Sequence, residues 1–168
     1  THVGGICGQL SAGKIENCWH NGTVSATGEE AYVGGLVGYQ ESGSLLKGYN
    51  IGVVYINTTT TAYFGAIVGN SNSSATQQNC IYEVSTGTDE QGEFDATILY
   101  ADGSATYKYG AIGQDKVNGP TNTANVKGAS TTEMQTQSSW DDLLNEEATL
   151  SGNTVWKITD GDYPQLYS

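Results

Sequence analysis

Val3-Gly-Gly-Ile6-Cys-Gly8, Val33-Gly-Gly-Leu36-Val-Gly38 and Phe64-Gly-Ala-Ile67-Val-Gly69 are three copies of one phrase, set 30 and then 31 residues apart. A second phrase travels with the first. Ile15-Glu-Asn-Cys18-Trp19-His-Asn-Gly22 returns as Leu45-Leu-Lys-Gly48-Tyr49-Asn-Ile-Gly52, and Gln77-Gln-Asn-Cys80-Ile81-Tyr82 is a partial third copy with Gln77 opposite Ile15. An apolar, strand-like phrase plus turns cannot bury its own hydrophobic face, so units of this period must stack on one another. The expected fold is all-β: a right-handed parallel β-helix or β-solenoid of about three coils, with a small C-terminal α+β cap.

Alternation within the opening phrase places Ile6, Leu36 and Ile67 on one side of a strand and Cys7, Val37 and Val68 on the other. Either one apolar column faces the lumen while another element covers the second, or a bend re-aims one of them. The glycine columns at 4, 34, 65 and at 8, 38, 69 call for close backbone approach or for a positive-φ corner. Cys18 and Cys80 fall in one column two coils apart, about 9 to 10 Å between Cα atoms at parallel-strand spacing. That exceeds the reach of a disulfide, about 7 Å. The three cysteines therefore read as small buried hydrophobes.

Residues 1–82 form the repeat region, 83–130 an excursion that continues or covers the last coil, and 131–168 the cap. Within the excursion, Ala96–Tyr100 and Ala105–Tyr109 flank an Asp102-Gly103 turn and are predicted to form a hairpin. Tyr109-Gly-Ala-Ile112-Gly113 resembles a shortened opening phrase but is assigned to a turn-rich lid. Thr132-Glu-Met134 opens a helical turn, Ser139-Trp-Asp-Asp142 caps a helix running to Glu147, and residues 154–159 form a closing strand ahead of Asp160-Gly161.

The 168 residues include 18 acidic residues, six lysines and no arginine, for a net charge of −12. This repels nucleic acid and anionic membranes and removes the bidentate phosphate clamp. No apolar run is long enough to span a bilayer, so membrane insertion is not expected of this segment. The chain opens within a phrase at Thr1-His2-Val3, which reads as a segment of a longer chain. Composition rich in Gly, Ser, Thr, Asn and Gln suits a secreted or surface bacterial β-protein.

Chemistry is sparse. The opening phrase lacks the acid that calcium-binding nonapeptide repeats place after their glycines. Glu16 is answered by Leu46 and Gln78, so the columns supply no paired carboxylates for glycoside hydrolysis. His2, at the terminus, and His20, in a turn, have no patterned nucleophile and read as surface histidines. No catalytic residue, metal site or cofactor is assigned. Asn21, Asn57 and Asn72 begin N-x-Ser/Thr triplets that read as polar turns. Tyr32, Tyr63, Trp19 and Tyr49 would stack along the array, as core or ladder packing. Binding falls to the excursion, where Tyr82, Asp89, Glu90, Glu93, Phe94, Asp95 and Tyr100 are the candidate ligand-binding residues for a host glycan or host protein. Its acidic cluster otherwise reads as a solvated loop.

Tyr32-Val-Gly-Gly-Leu-Val-Gly38 and Ile15-Glu-Asn-Cys-Trp-His-Asn-Gly22 resemble the GLUG-motif repeat of large bacterial surface and secreted proteins, including the non-catalytic part of some immunoglobulin A peptidases. Glu133-Met134, Leu143-Leu-Asn145, Trp156 and Gly161-Asp-Tyr-Pro-Gln-Leu166 resemble the segment that closes such arrays. The resemblance covers most of residues 2–82 and 131–167. It implies a β-solenoid adhesin segment or structural spacer, with no catalytic residues to carry over. A carbohydrate-active or carbohydrate-binding β-helix domain is the alternative.

Overall fold

The computed structural model describes residues 1–28, 30–58, 62–83, 99–102, 107–109, 126–136, 156–157 and 159–166. They form an all-β structure with parallel sheets and almost no helix. The first 30-residue unit contains β1 (His2–Gly4), β2 (Cys7–Leu10), β3 (Lys14–His20) and β4 (Thr23–Gly28). The second contains β5 (Ala31–Gly34), β6 (Val37–Gln40), β7 (Ser44–Asn50) and β8 (Val53–Thr58). The third contains β9 (Ala62–Gly65), β10 (Val68–Ser71), β11 (Thr76–Gln78) and β12 (Cys80–Glu83). There follow β13 (Leu99–Asp102), β14 (Tyr107–Tyr109), β15 (Val126–Ala129), α1 (Thr131–Met134), β16 (Trp156–Lys157) and β17 (Gln165–Leu166).

The sequence interval is a strand register. Val3 pairs with Val33 and Val33 with Phe64; Cys7 pairs with Val37 and Val37 with Val68; Trp19 pairs with Tyr49 and Tyr49 with Ile81, all in parallel. Leu36 and Ile67 are fully buried, whereas Ile6, in the first described unit, is 44% exposed. The expected inward column thus holds for two of its three members. These residues sit in the bend between paired strands rather than within a strand. That bend lets Leu36 and Val37, neighbours in sequence, both reach the core.

The glycine columns serve close approach. A Cβ on Gly34 would lie 1.9 Å from the Val37 carbonyl oxygen and 2.7 Å from Gly69 N, and one on Gly69 would lie 2.5 Å from the Gly38 oxygen. None of these positions has positive φ; among the described glycines that conformation belongs to Gly13, Gly43 and Gly161. The left-handed corner falls elsewhere, on Asn17 (φ 54), Lys47 (φ 53) and Asn79 (φ 54), one residue per unit in one column. Its effect is to change facing. Ile15 and Cys18 both pack on the core, although three residues apart in a straight strand would put them on opposite sides.

Two expectations are corrected here. Leu99–Asp102 and Tyr107–Tyr109 do not pair as a hairpin: β13 pairs in parallel with β8 and β14 with β9. A turn between two β-prone runs marks a hairpin or a corner between adjacent sheets equally well. The edges of β8 and β9 were already in place to receive them. Pairing of Tyr109 with Phe64 also puts Tyr109 in the column of the opening phrases, so it is part of the stack and not of a lid. β15 continues the stack on β12.

The closing segment covers a flank. Trp156 and Met134 are fully buried with Tyr49 and Ile81 in a cluster of their own, on the side of β7 and β12 away from the main core. Trp156 Nε1 donates to Asn17 Oδ1 at 3.0 Å, and the Tyr49 hydroxyl donates to the Pro164 carbonyl. Tyr163 and Thr131 hydroxyls both donate to Glu83, at 2.7 and 2.6 Å. α1 and the β16–β17 antiparallel pair match the expected helical turn and closing strand. The helix expected at 139–147 lies outside the described residues.

Replacement of Gly34 by Ala tests the close approach. We expect a loss of more than about 3 kcal/mol in urea unfolding, since backbone rather than a flexible side chain must move. Ser73→Ala, at an exposed site, should shift stability by less than about 0.5 kcal/mol.

Candidate functional site

Of the residues assigned to binding, only Tyr82 has a described side chain, and it is 1% exposed within the main core. It pairs with Asn50 and is a packing residue, which corrects its assignment as a ligand contact. Alternation along β12 turns it inward. Tyr100 lies in β13 opposite Tyr55. Asp89, Glu90, Glu93, Phe94 and Asp95 lie outside the described residues.

The surface feature that the fold does assemble is aromatic. Parallel pairing sets equivalent residues about 4.8 Å apart, which is also a ring-stacking distance. Tyr32 and Tyr63 stack at 4.8 Å between centroids with planes 2° apart, and His2 meets Tyr32 at 5.0 Å. Tyr39 of β6 joins them, 5.3 Å from both His2 and Tyr32. Gly34 lies against the Val37 carbonyl across the bend, and the Tyr32 and Tyr39 rings, one from each arm, meet beside it. The Tyr32 hydroxyl donates to Glu30 at 2.8 Å and the Tyr39 hydroxyl to Asn72 Oδ1 at 2.9 Å. Burial, then the Glu30 acceptor, pushes the Tyr32 phenol up to about 12. Tyr39 carries no repeat signal, because Gln9 and Asn70 hold its column in the neighbouring units.

A second strip joins Trp19, 37% exposed, to Tyr49 at 5.8 Å, and Tyr49 in turn to Trp156 at 5.6 Å. In the stacked Tyr32–Tyr63 and Trp19–Tyr49 pairs each ring turns a face to its partner. Tyr49 is buried and Tyr32, Tyr39 and Tyr63 are half-buried, while His2 and Trp19 are exposed.

His20 belongs to strand β3, half-buried, and not to a surface turn. Its Nδ1 lies 3.0 Å from Oδ1 of Asn50, which is fully buried. Asn50 Nδ2 donates to the carbonyls of Gly52 and Ala66, and Oδ1 accepts from Gly52 N, each at 3.0 Å. The second glycine of the opening phrase is the socket for these side chains: a Cβ on Gly35 would lie 2.3 Å from Asn50 Nδ2, and one on Gly5 2.5 Å from His20 Cγ. A second buried amide, Gln40, donates to Gly43 and Thr76 carbonyls and accepts from Gln77 Nε2 at 2.7 Å. This explains why Gln77 replaces the apolar residue of its column.

Burial pushes the Cys18 thiol up to about 11 and the Cys80 thiol up to about 12, and all three cysteines are free. Glu16 pairs with Lys14 at 2.6 Å, Glu41 accepts from Gln9, and Glu30 and Glu83 accept from the hydroxyls named above. Among the described residues no three His, Cys, Asp or Glu side chains are placed to hold a metal ion, and no helix is long and apolar enough to cross a membrane. Compared with protein-family models, curated proteins and solved structures, the chain matches none.

Asn50→Ala strands the Gly52 amide and the Ala66 carbonyl in the interior, and we expect a loss of about 2 to 4 kcal/mol by urea unfolding. For the thiols, both folded values are raised above the ordinary 9.0, so their contribution to stability is complete below that pH. It falls as pH rises toward 11 and 12, because the unfolded chain ionises first. Urea midpoints should decline above pH 9.0, and less steeply in the Cys18→Ala, Cys80→Ala double variant.

Proposed function

We propose that this chain is a length of right-handed parallel β-solenoid, of the kind the GLUG-motif resemblance implies. It serves as a non-catalytic spacer and display module of a secreted or surface bacterial protein. The observation that carries the reading is in-register parallel pairing of successive units in four sheets at once, from Val3 to Val33 to Phe64, Cys7 to Val37 to Val68, Trp19 to Tyr49 to Ile81, and Val24 to Val54 to Leu99. A chain winding once per 30-residue unit produces such a register, and the right hand follows from the general preference of parallel crossovers.

The non-catalytic part of the reading is supported by thiols whose ionisation burial suppresses and by carboxylates already engaged by donors. A carbohydrate-binding domain is the competing reading. Mutual stacking of the rings favours the spacer, since a sugar needs an open aromatic face. In the adhesin form of the reading, contact with a host glycan or protein falls to the excursion of residues 83–130.

Adding a unit tests the spacer. A chain in which a second copy of residues 1–30 precedes Thr1 should fold with a melting temperature no lower than the parent, and the amides of β1 to β4 in both copies should resist hydrogen exchange. An added copy that exchanges freely would sink the stacking-unit reading. Glycan-array retention that disappears when residues 86–95 are deleted, with the melting temperature unchanged, would favour the adhesin over the pure spacer.

A further inference from the structure

Parallel pairing of β5 with β9 sets Tyr32 directly opposite Tyr63, in the interior of a four-stranded sheet. The two rings lie 4.8 Å apart with planes 2° apart, and both are half-buried. Like residues in register and stacked in parallel bring the same ring carbons close together. Tyr32 also has a base at hand, since its hydroxyl donates to Glu30 Oε1 at 2.8 Å. Pushed up to about 12 by burial and then by Glu30, the phenol keeps its proton at neutral pH. An electron leaves a protonated phenol far more readily when a base takes the proton with it, and the Glu30 carboxylate is placed to do so.

Three other described tyrosines lack part of this arrangement. The Tyr163 hydroxyl donates to Glu83, but no ring stacks on Tyr163 among the described residues. Tyr49 meets the two indoles of Trp19 and Trp156, and its hydroxyl donates to the Pro164 carbonyl, too weak a base to take a proton. The Tyr39 hydroxyl donates to the equally weak Asn72 amide oxygen, and its ring is tilted 52° to Tyr32 at 5.3 Å.

We infer that Tyr32 and Tyr63 form an oxidative cross-linking site, at which a peroxidase-type oxidant driven by hydrogen peroxide joins the two rings as dityrosine. Tyr32 gives one electron to the oxidant and its phenolic proton to Glu30, which passes it to water. Tyr63 gives one electron to the oxidant and one proton to water. The two phenoxyl radicals then couple through the carbons beside their oxygens, and the two ring hydrogens at the new bond move as protons to those oxygens, restoring both aromatic rings. Peroxide takes up the two electrons and two protons and becomes two waters. The new carbon–carbon bond ties the second unit to the third, and the loop it closes restricts the unfolded chain as a disulfide does. The inference rests on ring geometry and a hydrogen bond, and it stands apart from the spacer reading, which the added-unit experiment tests separately.

Treatment of the dilute protein with a haem peroxidase and hydrogen peroxide should give dityrosine fluorescence in the monomer and a monomer mass lower by two hydrogen atoms. Cleavage after lysine should then release residues 15–47 and 48–108 as one joined fragment, with the link at Tyr32 and Tyr63. Tyr63→Phe keeps a ring in the stack but removes the phenol, and it should abolish the joined fragment, as should Tyr32→Phe. Tyr39→Phe should leave it in place. Glu30→Gln should slow its formation by about tenfold or more. A link to Tyr39 in place of Tyr63, cross-links between chains alone, a joined fragment that survives Tyr63→Phe, or no dityrosine overturns the inference. Formation as fast in Glu30→Gln as in the parent overturns the carboxylate's part in it.

Discussion

The approach of two backbone segments within each opening phrase governs the rest of the structure. Gly34 comes so close to the Val37 carbonyl that no side chain fits between the arms, Gly4 makes the same contact with the Cys7 carbonyl, and Gly69 packs against the Gly38 carbonyl and Val33 N of the preceding unit. Three consequences follow from that contact. The chain must bend at Gly35-Leu36, which sends adjacent apolar residues inward together. The two arms bring Tyr32 and Tyr39 together, and Tyr63 and His2 pack against them. Gly35 leaves a socket, which Asn50 enters to bond the Ala66 carbonyl of the next unit. Glycine is needed here for its missing Cβ, and its access to positive φ is not used.

Hydrophobic burial alone would tolerate sliding along a parallel ladder, since neighbouring units carry similar apolar columns. The buried amides remove that freedom. Asn50 and Gln40 are both fully buried, and each bonds main-chain carbonyls of its own and the following unit. A shift of one residue would leave these groups unpaired in a low-dielectric interior, at a cost that exceeds the gain from any alternative apolar match. The left-handed column at Asn17, Lys47 and Asn79 acts with them. It fixes where each unit turns its corner, and Lys47 shows that stacking imposes this conformation even on a residue that does not favour it.

Periodicity made the pairing legible: the 30-residue interval in sequence is the interval between paired residues, and the alignment of Ile15, Leu45 and Gln77 is their structural column. Much else was not legible, for identifiable reasons. Tyr39 joins the aromatic group across a bend and not along a column, so no repeat announces it. His20 and Asn50 look like turn residues because their burial depends on a glycine from another phrase. Residues 99–109 carry the local signals of a hairpin, and only the waiting edges of β8 and β9 decide for parallel pairing. Acidic neighbours in sequence give Tyr82 the look of a binding residue, whereas alternation from Cys80 turns it into the core.

Stacked units held only by their neighbours can separate one from the next. The closing segment counters this from the side. Trp156 bonds Asn17 of the first unit and packs on Tyr49 of the second, while Tyr163 and Thr131 hold Glu83 of the third. A cap laid across the last unit would stabilise that unit alone. A segment laid along the flank ties all three together, so that separating the first unit from the second also disturbs the seat of Trp156. Lateral contact thereby supplies cooperativity that nearest-neighbour stacking lacks, and it does so from the face opposite the main core, where the paired strands would otherwise present Tyr49 and Ile81 to water.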